Sequence, residues 1–303
     1  RTIYQRNYVM PVKMLNVSRH RCSLGEGIYY SARYQCVFWV DIKQQLLYRM
    51  DYASRAVTSI PMPEQIGWVK ETLSGRFMVG LQSGIYWLND DLSCGECCLL
   101  LSEEPATNRL NDAKTDQAGR LYFGTMDDRE TAPSGSLYQL TSLNENSTLQ
   151  KVDSGYVVSN GPAVNLAGDR LYSVSSATRT IYAFTVDAIG QLSHKRQHIV
   201  LPERHGYPDG ITVDSQDNLW VACWQGHGLC CFNPTGKLIE RIVLPAPQIT
   251  NVTFGGPAYA KLFVTSACIG MDDDALNRYP LAGSVFELDL GVTGVAEPRV
   301  YDN

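Results

Sequence analysis

Ala118-Gly119-Arg120-Leu121-Tyr122-Phe123 sets a turn directly before three residues of strand character, and the same figure recurs along the chain. Ser74-Gly75-Arg76 leads into Phe77-Met78-Val79, Ala167-Gly168-Asp169 into Leu171-Tyr172-Ser173, and Gln216-Asp217-Asn218 into Leu219-Trp220-Val221. With Val37-Phe38-Trp39-Val40 and Leu262-Phe263-Val264 added, first strands start near positions 38, 77, 121, 171, 219 and 262, about 40 to 50 residues apart. Each leads to a second strand, such as Leu47-Tyr48-Arg49-Met50, Gly84-Ile85-Tyr86-Trp87, Ser136-Leu137-Tyr138, Ile181-Tyr182-Ala183, Leu229-Cys230-Cys231-Phe232 or Ser284-Val285-Phe286. That period belongs to four-stranded propeller blades, whose ring protects its own strand edges. The expectation is an all-β fold, a six-bladed β-propeller with four-stranded blades, closed by an N-terminal strand in which residues 14–21 pair with the last blade. Residues 13–303 then form a single domain, and residues 1–12, charged and without an apolar core, read as a leader or expression remnant.

Composition supports a folded, water-facing chain. Of 303 residues 44% are hydrophobic, 10% aromatic and 19% charged, and no apolar run approaches the ~18 residues of a membrane helix. Lys and Arg number 26 against 31 Asp and Glu, a net charge of −5 with the basic residues dispersed, so no nucleic-acid footprint shows. The expected partner is a small molecule, with no nucleic acid and no membrane, in a monomer or weak homo-oligomer. Nine cysteines, three of them crowded at Cys94, Cys97 and Cys98, fit a reducing compartment better than a disulfide framework and favour the cytoplasm. Glycosylation triplets at Asn16, Asn146 and Asn251 are discounted for want of a secretory signal.

The familiar local motifs are absent: there is no Gly-x-Ser-x-Gly elbow, phosphate loop, His-Glu-x-x-His or dinucleotide fingerprint. Cys94-Gly-Glu-Cys97 has half the spacing of a zinc site but no second pair, and reads as a turn between blades. Asp272-Asp273-Asp274 lacks the Gly and Glu of a calcium loop and reads as an exposed loop. What remains is a set of short polar groups beside the strands: Leu24-Gly-Glu-Gly27, Arg109-Leu-Asn-Asp112, Ser159-Asn-Gly-Pro162 and Tyr207-Pro-Asp-Gly210, the last three each preceding a strand one blade apart. Taken singly, Asn-Gly and Pro-Asp-Gly are turn signals.

Taken together, these groups and their order resemble the gluconolactonase and regucalcin (senescence-marker protein) family of sugar lactonases. The resemblance runs from Leu24-Gly-Glu-Gly27 and Phe38-Trp-Val-Asp-Ile42 through Arg109-Leu-Asn-Asp-Ala-Lys114 and Gly124-Thr-Met-Asp-Asp-Arg-Glu130. It continues through Ser159-Asn-Gly161, Pro208-Asp-Gly210, Leu219-Trp-Val-Ala-Cys-Trp224, Phe254-Gly-Gly256, Leu262-Phe-Val-Thr-Ser266 and Pro280-Leu-Ala-Gly-Ser284. It implies one divalent cation at the mouth of the channel, held by Glu26, Asn160 and Asp209. Two carboxylates and an amide oxygen suit Ca²⁺ first, or Mg²⁺ or Mn²⁺, and Zn²⁺ is admissible though unselected by an all-oxygen set. It also implies hydrolysis of a sugar (aldono)lactone, a step in carbohydrate metabolism, with Asp209 as general base and Arg109, Asn111 and Glu130 as substrate-binding residues, Arg129 standing beside the last.

Departures from the family pattern fall beside the expected ligands. Val164-Asn165-Leu166-Ala167-Gly168 follows Gly161 where an aromatic and a Pro-Asp-Gly turn are common, Ser175 replaces a frequent Asp, and Cys223-Trp224 with His227 lies near the mouth. They bear on substrate identity, and an acidic substituent is one reading, using Arg109, Arg129 or His205. Two other classes stay open at this level: a non-catalytic calcium-binding regulatory propeller, and a metal-dependent hydrolase of another lactone or a phosphotriester.

Overall fold

The computed structural model describes residues 13–14 and 21–303. Its strands form six four-stranded antiparallel sheets arranged as a six-bladed propeller with almost no helix. Five blades each use one continuous stretch of chain, while the sixth takes Lys13–Met14 as its outer strand, paired Lys13 to Glu287 and Met14 to Phe286. An N-terminal strand thus closes the ring, shorter than the expected 14–21 as far as it is described: Arg21 is in no strand, and residues 1–12 and 15–20 lie outside the described residues.

The turn-and-strand figure marks the second strand of each blade, not the first. These strands are Cys36–Asp41, Phe77–Leu81, Leu121–Asp127, Arg170–Ser175, Leu219–Trp224 and Lys261–Ser266, and their partners in the figure are the third strands. A second strand packs on a neighbouring blade on both faces, so it is buried almost throughout and carries a short apolar run that stands out in the sequence. Trp39 and Trp220, both fully buried, lie on such strands, and Trp220 meets Phe254 of the next blade edge to face at 6.3 Å.

The inner strands are Gly25–Ser31, Ile66–Glu71, Asn108–Thr115, Ser159–Val164, Tyr207–Val213 and Ile249–Gly255. Three of the polar groups read as preceding a strand therefore lie within one. They face the central channel, where polar side chains interrupt the apolar alternation. Two smaller corrections concern the periphery. Cys94-Gly-Glu-Cys97 is not a turn but opens the outer strand Cys94–Leu100 of blade 2, and the acidic run begins the short helix Asp273–Arg278, whose first turn is capped by the Asp272 carboxylate accepting from Ala275 N.

At the end of the channel where the inner strands finish, the C-terminal segment crosses beneath the ring. Its backbone hydrogen bonds run from Ser215 N to Thr293 O, from Val300 N to Glu71 O and from Tyr301 N to Gly119 O, so it ties blades 5, 2 and 3 together. No helix among the described residues is long and apolar enough to cross a membrane.

Candidate metal centre and substrate cavity

All six inner strands shift register against their neighbours near the start: at Glu26/Tyr29, Ile66/Trp68, Leu110/Ala113, Asn160/Ala163, Pro208/Ile211 and Ile249/Asn251. A bulge bends a strand and re-aims its side chains. Glu26, Asn111, Asn160, Asp209 and Asn251 all lie at or beside these bulges. Glycine follows two of the expected ligands for this reason: Gly27 and Gly161 adopt φ of +55° and +69°, the left-handed region that costs other residues energy. A Cβ on Gly27 would also stand 2.4 Å from the carbonyl oxygen of Gly67. Gly27→Ala is expected to cost about 1–3 kcal/mol of stability, measured by urea denaturation, since neither strain nor clash can relax without moving the next inner strand.

A cavity of about 620 Å³ opens over these strand starts, and Glu26, Arg109, Asn111, Asn160, Asp209, Arg129 and Glu130 all line it. The three expected ligands thus come from blades 1, 4 and 5 to one floor. A chain of hydrogen bonds crosses that floor. Arg109 Nη1 donates to Asn111 Oδ1 at 2.7 Å, Asn111 Nδ2 to Asn160 Oδ1 at 2.8 Å, Asn160 Nδ2 to Ser176 Oγ at 2.9 Å, and Ser176 Oγ to the Pro208 carbonyl at 2.6 Å. The orientation of the Asn160 amide is therefore set from both sides, with its oxygen turned toward blade 3. Asn111 spends one donor on Asn160 and reaches the Ser159 carbonyl at 2.6 Å as well.

The carboxylates are crowded. Asn251 Nδ2 bridges Glu26 Oε2 at 2.8 Å and Asp112 Oδ2 at 3.3 Å, and Gly27 N donates to Glu26 at 3.0 Å. Burial, followed by the charge of Asp112, pushes the Glu26 carboxyl well up from its ordinary range. Burial and then the charge of Glu26 do the same to Asp209. Asp209 Oδ1 is buried with no hydrogen-bond partner.

A cation fits this arrangement. An orphaned carboxylate oxygen asks for a positive partner. Below the floor Lys70 pairs with Glu297 at 2.7 Å and Lys114 with the same carboxylate at 3.7 Å. With all of them ionised, Glu26, Asp209, Asp112 and Glu297 against Lys70 and Lys114 leave two negative charges; burial holds the floor carboxyls toward the neutral form, and one divalent ion bound there would offset the two charges and restore ionisation. The donors are oxygens only, the set that hard cations take.

The cations at the mouth are held by carboxylates through part of their donor set. Asp128 accepts from Arg109 Nε at 2.7 Å and Lys43 Nζ at 2.6 Å, and Arg129 pairs with Asp127 at 3.3 Å. His205 does not line the cavity; it is buried with both ring nitrogens unpartnered. Of the three residues offered for an acidic substituent, Arg109 and Arg129 line the cavity and His205 does not. Of the departures near the mouth, Trp224 lines the cavity, Cys223 is buried in its strand, and His227 packs on Tyr279 at 5.2 Å.

The residues missed in the sequence are Asp112, Ser176, Asp128 and Asn251. Asn251 is the most instructive, because it appears there as a glycosylation triplet and is in fact 5% exposed in the channel wall. Its signal is position, one blade period after Asp209.

Residues 24–268 match the model of the SMP-30/gluconolactonase/LRE-like region. Regucalcin of Xenopus laevis is 32% identical over 294 residues, covering 94% of this chain and 97% of that protein. Among solved structures, a luciferin-regenerating enzyme is 28% identical with a TM-score of 0.88 over 96% of this chain and 99% of its own. A calcium-binding protein, regucalcin, from Agrobacterium tumefaciens superposes with a TM-score of 0.90 at 23% identity, over 96% of this chain and 97% of that one.

Proposed function

The chain belongs to the SMP-30/gluconolactonase/LRE-like family, and on that premise we propose that it is a divalent-metal-dependent lactonase opening an aldonolactone-type ring to the hydroxy acid. The observation that supports this most is the meeting of Glu26, Asn160 and Asp209 on the floor of one cavity, with Asp209 Oδ1 left without a partner. A divalent cation bound by those three residues, Ca²⁺ by preference, would supply a Lewis acid for the carbonyl and lower the pKa of a neighbouring water.

The side chains of this protein do the rest. Asp209 takes a proton from the attacking water as its oxygen bonds to the carbonyl carbon; the ring C–O bond breaks, and the departing oxygen takes that proton up. The bonds of Arg109 to Asp128, Asn111 and Leu110 use Nε and Nη1, which leaves Nη2 to donate to a ring or hydroxyl oxygen. Asn111 gives both amide protons to Asn160 and Ser159, so it meets the substrate through Oδ1, accepting from a hydroxyl, and Glu130, exposed at the rim, accepts from another.

The test strips the protein with chelator, restores Ca²⁺, Mg²⁺, Mn²⁺ or Zn²⁺ singly, and follows acid release from aldonolactones against the spontaneous rate. Acceleration restored by one ion and absent after chelation is the expected result. No acceleration across the panel, with stoichiometric metal bound, overturns the reading.

A further inference from the structure

One spacing repeats at the starts of the four inner strands that build the centre, twice within the strand and twice in the residue just before it. Two residues before Glu26, Asn111, Asn160 and Asp209 stand Leu24, Arg109, Val158 and Tyr207, and all eight side chains line the same cavity. Positions i and i+2 of a strand share a face, about 7 Å apart. Tyr207 shares the face of Asp209 on its strand, while Leu24, bridged to Ala267 just before its strand, and Val158, in the bend that leads into the next ligand-bearing strand, reach the same cavity; together they form a second ring of the lining that is apolar on blades 1, 4 and 5.

Blade 5 extends it. Tyr207 lies directly across the ladder from Trp224, which also lines the cavity. The Tyr207 ring is fixed from behind: the Arg179 guanidinium lies 4.1 Å from its centroid, and Arg179 Nε donates to the Gly206 carbonyl at 3.2 Å. Arg109 is the polar exception on the ring, and it is tied to Asp128 and Asn111. A ring hydroxylated at each carbon uses the floor but wets this upper wall. The cavity, at about 620 Å³, lies in the range that holds a drug-sized ligand rather than a single small ring.

Resting on the lactonase reading above, we propose that the preferred substrate is a lactone bearing an apolar arm, alkyl or aryl, whose ester end meets Glu26, Asn160 and Asp209 while the arm packs on Leu24, Val158, Tyr207 and Trp224. The arm excludes water from the floor as it binds, and its contacts select among lactones that present the same ring.

The experiment compares kcat/KM of the metal-loaded protein for δ-gluconolactone, its 6-O-benzyl ether, and a δ-lactone carrying a five-carbon chain. A benzyl ether preferred about tenfold or more over the parent is the expected result, the effect of added apolar contact in a pocket. Val158→Ser and Trp224→Ser, checked for folding by their melting curves, should each draw that ratio toward one. Metal-dependent turnover of the parent with a ratio of one or less overturns the arm and leaves the lactonase standing, as does a ratio unmoved in both variants. No turnover of any of the three lactones with metal bound overturns the lactonase reading and the arm with it.

Discussion

Asp209→Asn, assayed with saturating metal and lactone, is expected to lower kcat by about 10²- to 10⁴-fold, the range that a positioned general base contributes. The substitution keeps the shape of the side chain and an oxygen in the position of Oδ1, which is buried and unpartnered, but an amide cannot take the proton of the attacking water. It also removes one of the two ligand carboxylates, so metal affinity should fall alongside. Saturating metal separates the two effects. Glu26→Gln provides the contrast: it removes the same charge from the floor without removing the base, so its defect should lie mainly in the metal concentration required. Metal binding followed by calorimetry, with turnover measured at each concentration, reads both. An Asp209→Asn protein that binds metal and keeps kcat within tenfold of the parent would sink the base assignment and move the search to another carboxylate of the floor.

The fold was legible where burial is complete. Phe38 and Trp39 sit on a second strand with neighbouring blades on both sides, and such a strand cannot avoid an apolar run. The inner strands were hidden by their function. Arg109-Leu-Asn-Asp112 places polar side chains toward the channel, and Asn160-Gly161 and Asp209-Gly210 fall at bulges, so strand sequences carry the residues of turns. Family resemblance located Glu26, Asn160 and Asp209, and the structure brings them to one cavity. It gave no hint of what orients them. Asn251, bridging Glu26 and Asp112, stands 225 residues from Glu26, and only the closed ring makes them neighbours; Ser176, 16 residues from Asn160 across one hairpin of blade 4, carries no motif that marks it as fixing the amide.

The largest stability effect is expected at the far end of the channel, from Glu297→Ala. Glu297 reaches up from the C-terminal segment to Lys70 at 2.7 Å and Lys114 at 3.7 Å, and Thr115 N donates to it at 3.2 Å. Lys70 is only 4% exposed, so removing its counter-ion leaves an uncompensated charge in the interior, a change that costs about 3–5 kcal/mol. The pH dependence follows. Burial works against ionisation of Glu297, but Lys70 and Lys114 outweigh it and hold the carboxyl below its ordinary value of 4.5. A carboxyl depressed on folding stabilises the protein above the unfolded value and loses that contribution as pH falls through the folded one. The parent should therefore shed stability below about pH 4.5 by a step that Glu297→Ala lacks, seen in urea midpoints across pH. Replacing both partners separates the cost of a lone charge from the value of the pair: Lys70→Met with Glu297→Leu should recover most of the loss, because buried pairs are often neutral against apolar substitutes. The same double variant keeps the channel's two net negative charges, whereas Glu297→Ala alone leaves one. Cation affinity at Glu26, Asn160 and Asp209 should accordingly fall in the single variant and return in the double. If affinity is the same in all three proteins, the charges at the two ends of the channel are screened from each other, and the balance that admits a divalent ion is set by the floor alone.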